Sequence, residues 1–274
     1  MALLTGLSDD RELAAQRALN AALATQFSAG VAREIVRAST DMLRVYEATS
    51  EVPAIGPDDA MRMRDIYAGM ALTATRAFGA RIVTQGKAYS PALERKDLAG
   101  FSEFFARLAQ EWMAYEEIRA RISSVTDTTR AQLIALIQRG QADGEGTAVI
   151  ARRISERIPQ LAGVRAEVIA RTEIHGASNY AADRTARATG LQMDKKWLSA
   201  DDARTRDFGE GDAVVDEFNH REMHGQIVPM DGLFVMRRKG GGEVRCAYPG
   251  DASLPVGAVV RCRCGVGHIV GGLD

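Results

Sequence analysis

The spacing of apolar residues changes at Gly190, and this change constrains the fold more than any other feature of the chain. Before Gly190, apolar residues recur mostly at helical spacing. After it, glycine and proline become frequent and apolar residues begin to alternate, as in strands. The sequence therefore predicts an α+β fold, in which a long, mainly helical N-terminal region precedes a small C-terminal α+β domain with an antiparallel sheet.

Capping residues and helix breakers set the predicted bounds of the first helices. Ser8 can cap a first helix, because its hydroxyl can accept from the free N–H groups of the opening turn, and Pro53 ends that helix. Further helices start at Asp58 and at Ser90-Pro91. Bulky side chains then recur at helical spacing over residues 101–118, which favours a helix packed into a core. A partner-facing stripe in an assembly is the alternative.

The later helices lead towards the C-terminal domain. Thr126 or Asp127 caps one that ends at Gly140, a short one runs from Thr147 to Pro159, and a long one covers Val164–Thr189. The last helix carries a polar stripe at helical period: Thr172, His175, Asn179 and Asp183. This stripe is either a solvated face or a seam that hydrogen-bonds the C-terminal domain.

Three segments after Gly190 predict strands. Leu233–Arg238 and Val244–Tyr248, joined by three glycines, predict a β-hairpin. Val259–Val266 predicts a third strand, with Cys262 and Cys264 on one face and two arginines on the other.

Cysteine and histidine side chains raise the question of a metal site. Cys246, Cys262, Cys264 and His268 could supply four zinc ligands, with His220 or His224 as substitutes. However, a Cys-x-Cys pair is not the usual two-residue knuckle. Small thiols on the buried face of a sheet explain the cysteines without an ion. We therefore expect buried free thiols, no metal and no cofactor.

A catalytic interpretation depends on His220 and His224, which lie four residues apart near Arg204 and Arg206. Two histidines can act as acid and base on a phosphodiester, and arginine can hold its phosphate. The same spacing is common without catalytic meaning, and the motifs of zinc proteases, P-loop proteins, serine hydrolases and dinucleotide enzymes are missing. We expect that the chain is not an enzyme, with a nuclease or nuclease-derived enzyme as the alternative.

Charge and composition limit the partners. The 35 Lys and Arg residues balance 36 Asp and Glu residues to a net charge of -1, which does not suggest a dedicated nucleic-acid binder. The arginines along the last two predicted helices are interpreted as a solvated face with ion pairs. The N-terminus lacks the pattern of a signal peptide, no apolar run would span a membrane, and three cysteines is an odd number. These features predict a protein made in a cytoplasm with reduced thiols.

An ordered series of residues resembles a known family. Its members are Arg171, Glu173, Asn179, Trp197, Asp202, Arg206, His220, Gly225, Asp251, Cys262 and Cys264. Over residues 126–270 the chain resembles the phage Mu F-like minor head proteins, also called the phage head morphogenesis family. The step from the arginines to the histidine is longer here, through Phe208 to Asn219.

The resemblance implies a virion protein, present in few copies or as an oligomer in the head interior or at the portal vertex of a tailed phage. Such proteins act in head assembly, DNA packaging or DNA delivery. The implied partners are the portal protein and other head proteins, with viral double-stranded DNA as a further candidate and no membrane during assembly. Synthesis would be in the cytoplasm of the bacterial host.

Residues 1–123 would form a helical arm for docking or oligomer contacts. Residues 124–274 would form the family domain, with helices over 126–190 and an α+β part over 191–274, and its motif would mainly fix the fold.

Overall fold

The computed structural model of the chain describes residues 3–54, 56–95, 97–209 and 214–271. Helices dominate up to Gly190 and small sheets follow, so the predicted α+β class is confirmed. The helices are α1 (Asp9–Thr49), α2 (Pro57–Gly86), α3 (Pro91–Glu94), α4 (Ser102–Ala114), α5 (Glu116–Ala142), α6 (Thr147–Ala188) and α7 (Val256–Val259). The strands are β1 (Met193–Leu198), β2 (Arg206–Asp207), β3 (Val214–Val215), β4 (Ile227–Pro229), β5 (Phe234–Arg237), β6 (Glu243–Cys246) and β7 (Gly265–Val270).

The starts of the early helices follow their predicted signals. Helix α1 begins directly after Ser8, whose carbonyl accepts from the N–H of Glu12 at 2.9 Å. The Ser90 hydroxyl accepts from the N–H of Leu93 at 3.4 Å, and proline occupies the next position of α3. The helix starts predicted at Ser8 and at Ser90-Pro91 are therefore confirmed, although α3 is only 4 residues long. The bond observed at Ser8 involves its carbonyl and not the hydroxyl that was expected to cap the helix.

The middle of the helical region differs from the prediction in two places. The helix predicted over residues 101–118 is interrupted, because Tyr115 has extended backbone (φ -58°, ψ 134°) between α4 and α5. Thr126 and Asp127 lie inside α5 rather than at its start. The Thr126 hydroxyl is bonded to the carbonyl of Ser123 at 2.6 Å, so it does not cap a helix. The burial of Phe105 and Trp112 still agrees with a core-facing aromatic stripe.

Pro159 lies inside α6 and does not end a helix, contrary to the prediction. A proline within a helix costs about 3 kcal/mol. Ile154 and Ile158 are buried in one apolar cluster beside it, and Ala162 is buried one turn later. Burying each isoleucine contributes about 1.5–3 kcal/mol, so packing outweighs the break.

The chain divides into two compact units whose segments alternate along the sequence. The first unit comprises Met1–Leu23, Met70–Trp112 and Arg171–Asp274, and the second comprises Ala24–Gly69 and Met113–Ala170. The core of the second unit includes Met42, Leu43, Tyr46, Leu133, Ile137, Ile150, Ile154 and Ile158. The boundary predicted between residues 123 and 124 falls within α5. That residues 124–274 form a family domain stays a prediction.

In the first unit, β1 lies at the centre of a three-stranded sheet of order β4-β1-β7, and both of its pairings are antiparallel. Strands β5 and β6 pair antiparallel from Phe234 opposite Cys246, which confirms the predicted hairpin. Strands β2 and β3 form a short parallel pair. The sheet residues surround an apolar cluster that contains Trp197, Phe234 and Met236.

The third predicted strand is displaced. Residues 256–259 form α7, and β7 begins only at Gly265, so Cys262 and Cys264 precede the strand instead of alternating along it. The cause is local: Arg261 has φ +58°, a left-handed backbone that cannot continue a strand.

The first residues of the chain belong to the same core as the last strand. Leu3 forms a single antiparallel bridge with Ile269, and the N–H of Leu4 donates to the carbonyl of His268 at 2.6 Å. The Gln16 side chain donates to the carbonyl of Val266 at 2.9 Å. The first unit therefore needs both ends of the described chain.

Candidate functional site

The polar stripe of α6 forms a seam with the C-terminal part of the first unit. The side chains of Thr172, His175, Asn179 and Asp183 are all buried. Asn179 Oδ1 accepts from the N–H of Val266 at 3.2 Å, and His175 Nε2 lies 2.6 Å from the carbonyl oxygen of Cys264. Thr172 Oγ1 accepts from the N–H of Arg261 at 3.4 Å. Of the two interpretations left open by the sequence, the seam is the one observed.

Two glycines allow the loop before β7 to approach α6 closely. A Cβ on Gly176 would lie 2.8 Å from the Trp112 ring and 3.0 Å from the carbonyl oxygen of Gly250. Gly250 itself has φ +78°, and a Cβ there would lie 2.7 Å from His175 Nδ1. Side chains at these two positions would separate the helix from the loop. The glycine of the sequence Pro249-Gly250-Asp251 therefore has a packing role.

Asp251 organises the turn in which it lies. Its Oδ2 accepts from the N–H of Ala247 at 2.8 Å, and its Oδ1 accepts from the N–H and hydroxyl of Ser253 at 3.0 and 2.8 Å. Aspartate side chains in turns of this kind satisfy backbone N–H groups that burial would otherwise leave unpaired.

Arg206 and Asp202 fix two neighbouring loops. The Arg206 guanidinium donates to the carbonyl of Ala258 at 2.8 Å and to that of Gly257, and so closes the end of α7. Asp202 accepts from Arg263 Nη1 at 2.9 Å and from the N–H of Arg204 at 3.0 Å. The hydrogen bond from Arg263 holds the pKa of Asp202 well below its usual value.

Trp197 and Gly225 belong to the same arrangement. Trp197 is buried in β1, and its ring meets that of Phe234 edge-on at 5.3 Å. The N–H of Gly225 donates to the carbonyl of Trp197 at 2.9 Å, in a turn where Gly225 has φ +80°. A non-glycine residue would be strained there.

Two further residues of the ordered series, Arg171 and Glu173, lie within α6, where the third segment of the first unit begins. Arg171 is exposed and borders a cavity together with Arg17, Arg204 and Arg263. Burial, followed by the positive charge of Arg263, lowers the pKa of Arg17. Glu173 is buried. Arg17 comes from α1, so no spacing within the C-terminal motif could have indicated its place here.

Three potential metal ligands converge in this unit: His220, Cys262 and Cys264. Their side-chain ligand atoms all lie within 4.8 Å of one another. His220 Nδ1 is 3.6 Å from the Sγ atom of each cysteine. The three residues are 2%, 8% and 5% exposed, so solvent barely reaches them. We call this group the His-Cys-Cys triad.

The two thiols of the triad shift each other's pKa in opposite directions. The hydrogen bond with Cys264 lowers the pKa of Cys262, and His175 and His220 add to this effect against burial. The same bond raises the pKa of Cys264, and burial raises it further. The first proton of the pair therefore leaves Cys262.

The other cysteine and histidine residues proposed as ligands lie elsewhere. Cys246 packs in the apolar cluster around Trp197, where burial raises the pKa of its thiol. His268 is buried in β7, and burial lowers its pKa to about 4. The alternative ligand set of Cys246, Cys262, Cys264 and His268 therefore does not assemble. His220, considered only as a substitute, lies beside Cys262 and Cys264 instead.

His220 and His224 do not form a catalytic pair in this structure. His220 is buried against two thiols, whereas His224 is exposed and its Nδ1 accepts from the N–H of Ser199 at 3.1 Å. A general acid and base would both need to reach one substrate.

Lys195 is a buried residue that the sequence did not single out. Its ammonium lies 3.3 Å from Asp183 Oδ1 and donates to the carbonyl of Ala247 at 2.8 Å. Arg187 pairs with the same carboxylate at 2.9 Å. Burial lowers the pKa of Lys195, and Asp183 opposes this effect. A lysine two residues before a tryptophan on a strand carries no signal of burial, so only the fold reveals this network.

Comparisons with known proteins give no match to a family model, to a curated protein or to a solved structure. Within the described residues, no helix has an apolar stretch that is long enough to cross a membrane.

Proposed function

We propose that this chain is a minor head protein of a tailed phage, which acts near the portal vertex in head assembly, DNA packaging or DNA delivery. The observation that carries the proposal is the ordered series of residues from Arg171 to Cys264. Its members are far apart in the sequence, yet they belong to one compact unit. The partners would be the portal protein and other head proteins, with viral double-stranded DNA as a further candidate.

The contacts of the series support a mainly structural role for it. Arg206 closes α7, Asp251 holds a turn, and Asn179 joins α6 to β7. Each of these side chains satisfies backbone groups rather than pointing into an open cleft. An unpaired buried polar group costs about 1–3 kcal/mol, so these contacts matter for folding. The same arrangement argues against the nuclease alternative, since one of its two histidines is buried against thiols.

The direct test is proteomics of purified particles from the phage or prophage that encodes this chain. We expect the protein in mature heads, in few copies relative to the major capsid protein. Deletion of its gene should reduce the yield of DNA-filled, infectious particles, and the wild-type gene supplied in trans should restore it. Absence of the protein from heads and head precursors, with normal yield after deletion, would refute the proposal.

Complementation with variants distinguishes the structural role of the motif from an enzymatic one. Arg206→Ala and Asp251→Ala should rescue only to the extent that folded protein accumulates, whereas His224→Ala should rescue fully. If Arg206→Ala keeps the wild-type melting temperature yet abolishes nucleic-acid cleavage by the purified protein, the chain is an enzyme. Deletion of residues 1–120 is not a suitable test of a docking arm, because residues 3–23 and 70–112 lie within the first unit.

A further inference from the structure

We propose that the His-Cys-Cys triad binds one zinc ion, through His220 Nδ1 and the Sγ atoms of Cys262 and Cys264. This inference does not depend on the proposed role in a phage head. It concerns how the first unit holds two separate loops together.

The distances fit a tetrahedral ion. Zinc binds cysteine sulfur at about 2.3 Å and histidine nitrogen at about 2.0–2.1 Å, which at the tetrahedral angle separates nitrogen from sulfur by about 3.6 Å. His220 Nδ1 lies 3.6 Å from both sulfur atoms. Both nitrogen–sulfur distances therefore match those expected around a tetrahedral zinc ion.

Hydrogen bonding alone does not account equally well for the triad. A neutral imidazole nitrogen either carries one proton or accepts one hydrogen bond, so Nδ1 of His220 cannot accept from two thiols. Both sulfur atoms nevertheless approach it at the same distance. A shared ion gives all three atoms a common partner.

The surroundings favour a soft transition metal. Two thiolates and an imidazole prefer zinc and similar ions, whereas calcium and magnesium prefer oxygen ligands. The Trp197 ring lies edge-on to the His220 ring, with the two centroids 6.4 Å apart.

The backbone holds the ligands in place. The N–H of Cys262 donates to the carbonyl of Val259 at 3.1 Å, and the carbonyl of Cys264 lies 2.6 Å from His175 Nε2. The N–H of His220 donates to the carbonyl of Arg206 at 2.9 Å. The ion would join two loops that lie 42 residues apart in the sequence.

The fourth coordination position would be taken by water. Among the described histidine, cysteine and acidic residues, no fourth side chain meets the same mutual distances as the triad. A small cavity, lined also by Ala200, Thr205 and Arg206, lies beside the three ligand residues.

The test begins with the metal content of the full-length protein, expressed in zinc-supplemented medium and purified without chelators. We expect about one zinc per chain by inductively coupled plasma mass spectrometry. Cys262→Ser, Cys264→Ser and His220→Ala should lose it. Cys246→Ser is the matched control, because Cys246 is also a buried thiol but lies outside the triad. It should keep the wild-type amount.

Two further measurements keep the result interpretable if a triad variant fails to fold. Release of zinc from folded wild-type protein, followed with a chromophoric chelator, should reach about one equivalent. Cobalt(II) added to the metal-free protein should give the near-ultraviolet charge-transfer absorption of thiolate ligands in wild type and in Cys246→Ser. Folded wild-type protein that contains no zinc and gives no such absorption would overturn the proposal. So would a Cys246→Ser variant that folds and loses the metal.

Discussion

Removal of the Asn179 side chain tests the seam between α6 and β7. Strand β7 lies at one edge of its sheet, where backbone groups need partners outside the ladder. Asn179 provides one, because its Oδ1 accepts from the N–H of Val266, and its Nδ2 donates to the carbonyl of His175 at 3.1 Å. The residue is 1% exposed, so water cannot replace either contact without rearrangement.

The expected cost follows from these two bonds. In Asn179→Ala, the N–H of Val266 is left buried and unpaired, which costs about 1–3 kcal/mol. Loss of the second bond costs about 0.5–1 kcal/mol, since that carbonyl keeps its partner within the helix. Alanine is the better helix former by about 0.5 kcal/mol, which offsets part of the loss. The free energy of unfolding should therefore fall by about 1–3 kcal/mol.

Urea unfolding followed by tryptophan fluorescence measures this change, because both tryptophans lie in the first unit. Gln138→Ala is the control: it also removes an amide from a helix, but from an exposed position. Surface substitutions of this kind usually change stability by less than about 0.5 kcal/mol. An Asn179→Ala variant as stable as Gln138→Ala would refute the structural role of the seam.

Three further predictions concern charged groups of the first unit. Burial lowers the pKa of His268 to about 4. Its contribution to the free energy of unfolding is therefore present above about pH 6.5 and is lost as the pH falls towards 4. Unfolding at a series of pH values should show a loss of up to about 3 kcal/mol in that window, which His268→Gln should lack. Lys195→Met should cost about 3 kcal/mol in urea unfolding, because the carboxylate of Asp183 stays buried, and adding Asp183→Asn should recover part of the loss. Arg206→Ala should lower the melting temperature. Arg206→Lys should not restore it, because an ammonium cannot reproduce the two bonds that the guanidinium makes to adjacent carbonyls. A lysine variant as stable as the wild type would contradict this.

The sequence predicted those parts of the fold that depend on local signals. The helix start after Ser8, the helix start at Ser90-Pro91 and the glycine-linked hairpin of β5 and β6 all depend on residues close to one another. The polar period of α6 was also visible, because a helix places every third or fourth side chain on one face. Which face it would meet was not visible.

The errors arose where tertiary contacts outweigh local preference. Pro159 is a strong helix breaker, but Ile154 and Ile158 before it and Ala162 after it are buried. The alternation around Cys262 predicted a strand, but the left-handed backbone at Arg261 bends the chain before β7.

The triad could be anticipated only in part. The spacing of Cys262 and Cys264 indicated that the two thiols lie near each other. Nothing in the spacing favoured His220 over His268 as their neighbour, because that choice depends on how the segment between β3 and β4 folds back. Pairing of Leu4 with the last strand was equally invisible, since it joins residues from opposite ends of the described chain.

The interleaving of the two units imposes an order on folding during translation. Both segments of the second unit, Ala24–Gly69 and Met113–Ala170, leave the ribosome before any of the third segment of the first unit. Domains fold as units once their residues are available. The second unit can therefore close early, while the partners of Leu4 and Gln16 in β7 are still to be synthesised. A nascent chain arrested far enough beyond Ala170 for that residue to clear the ribosomal exit tunnel should accordingly protect the second unit from protease and leave residues 3–23 open to cleavage.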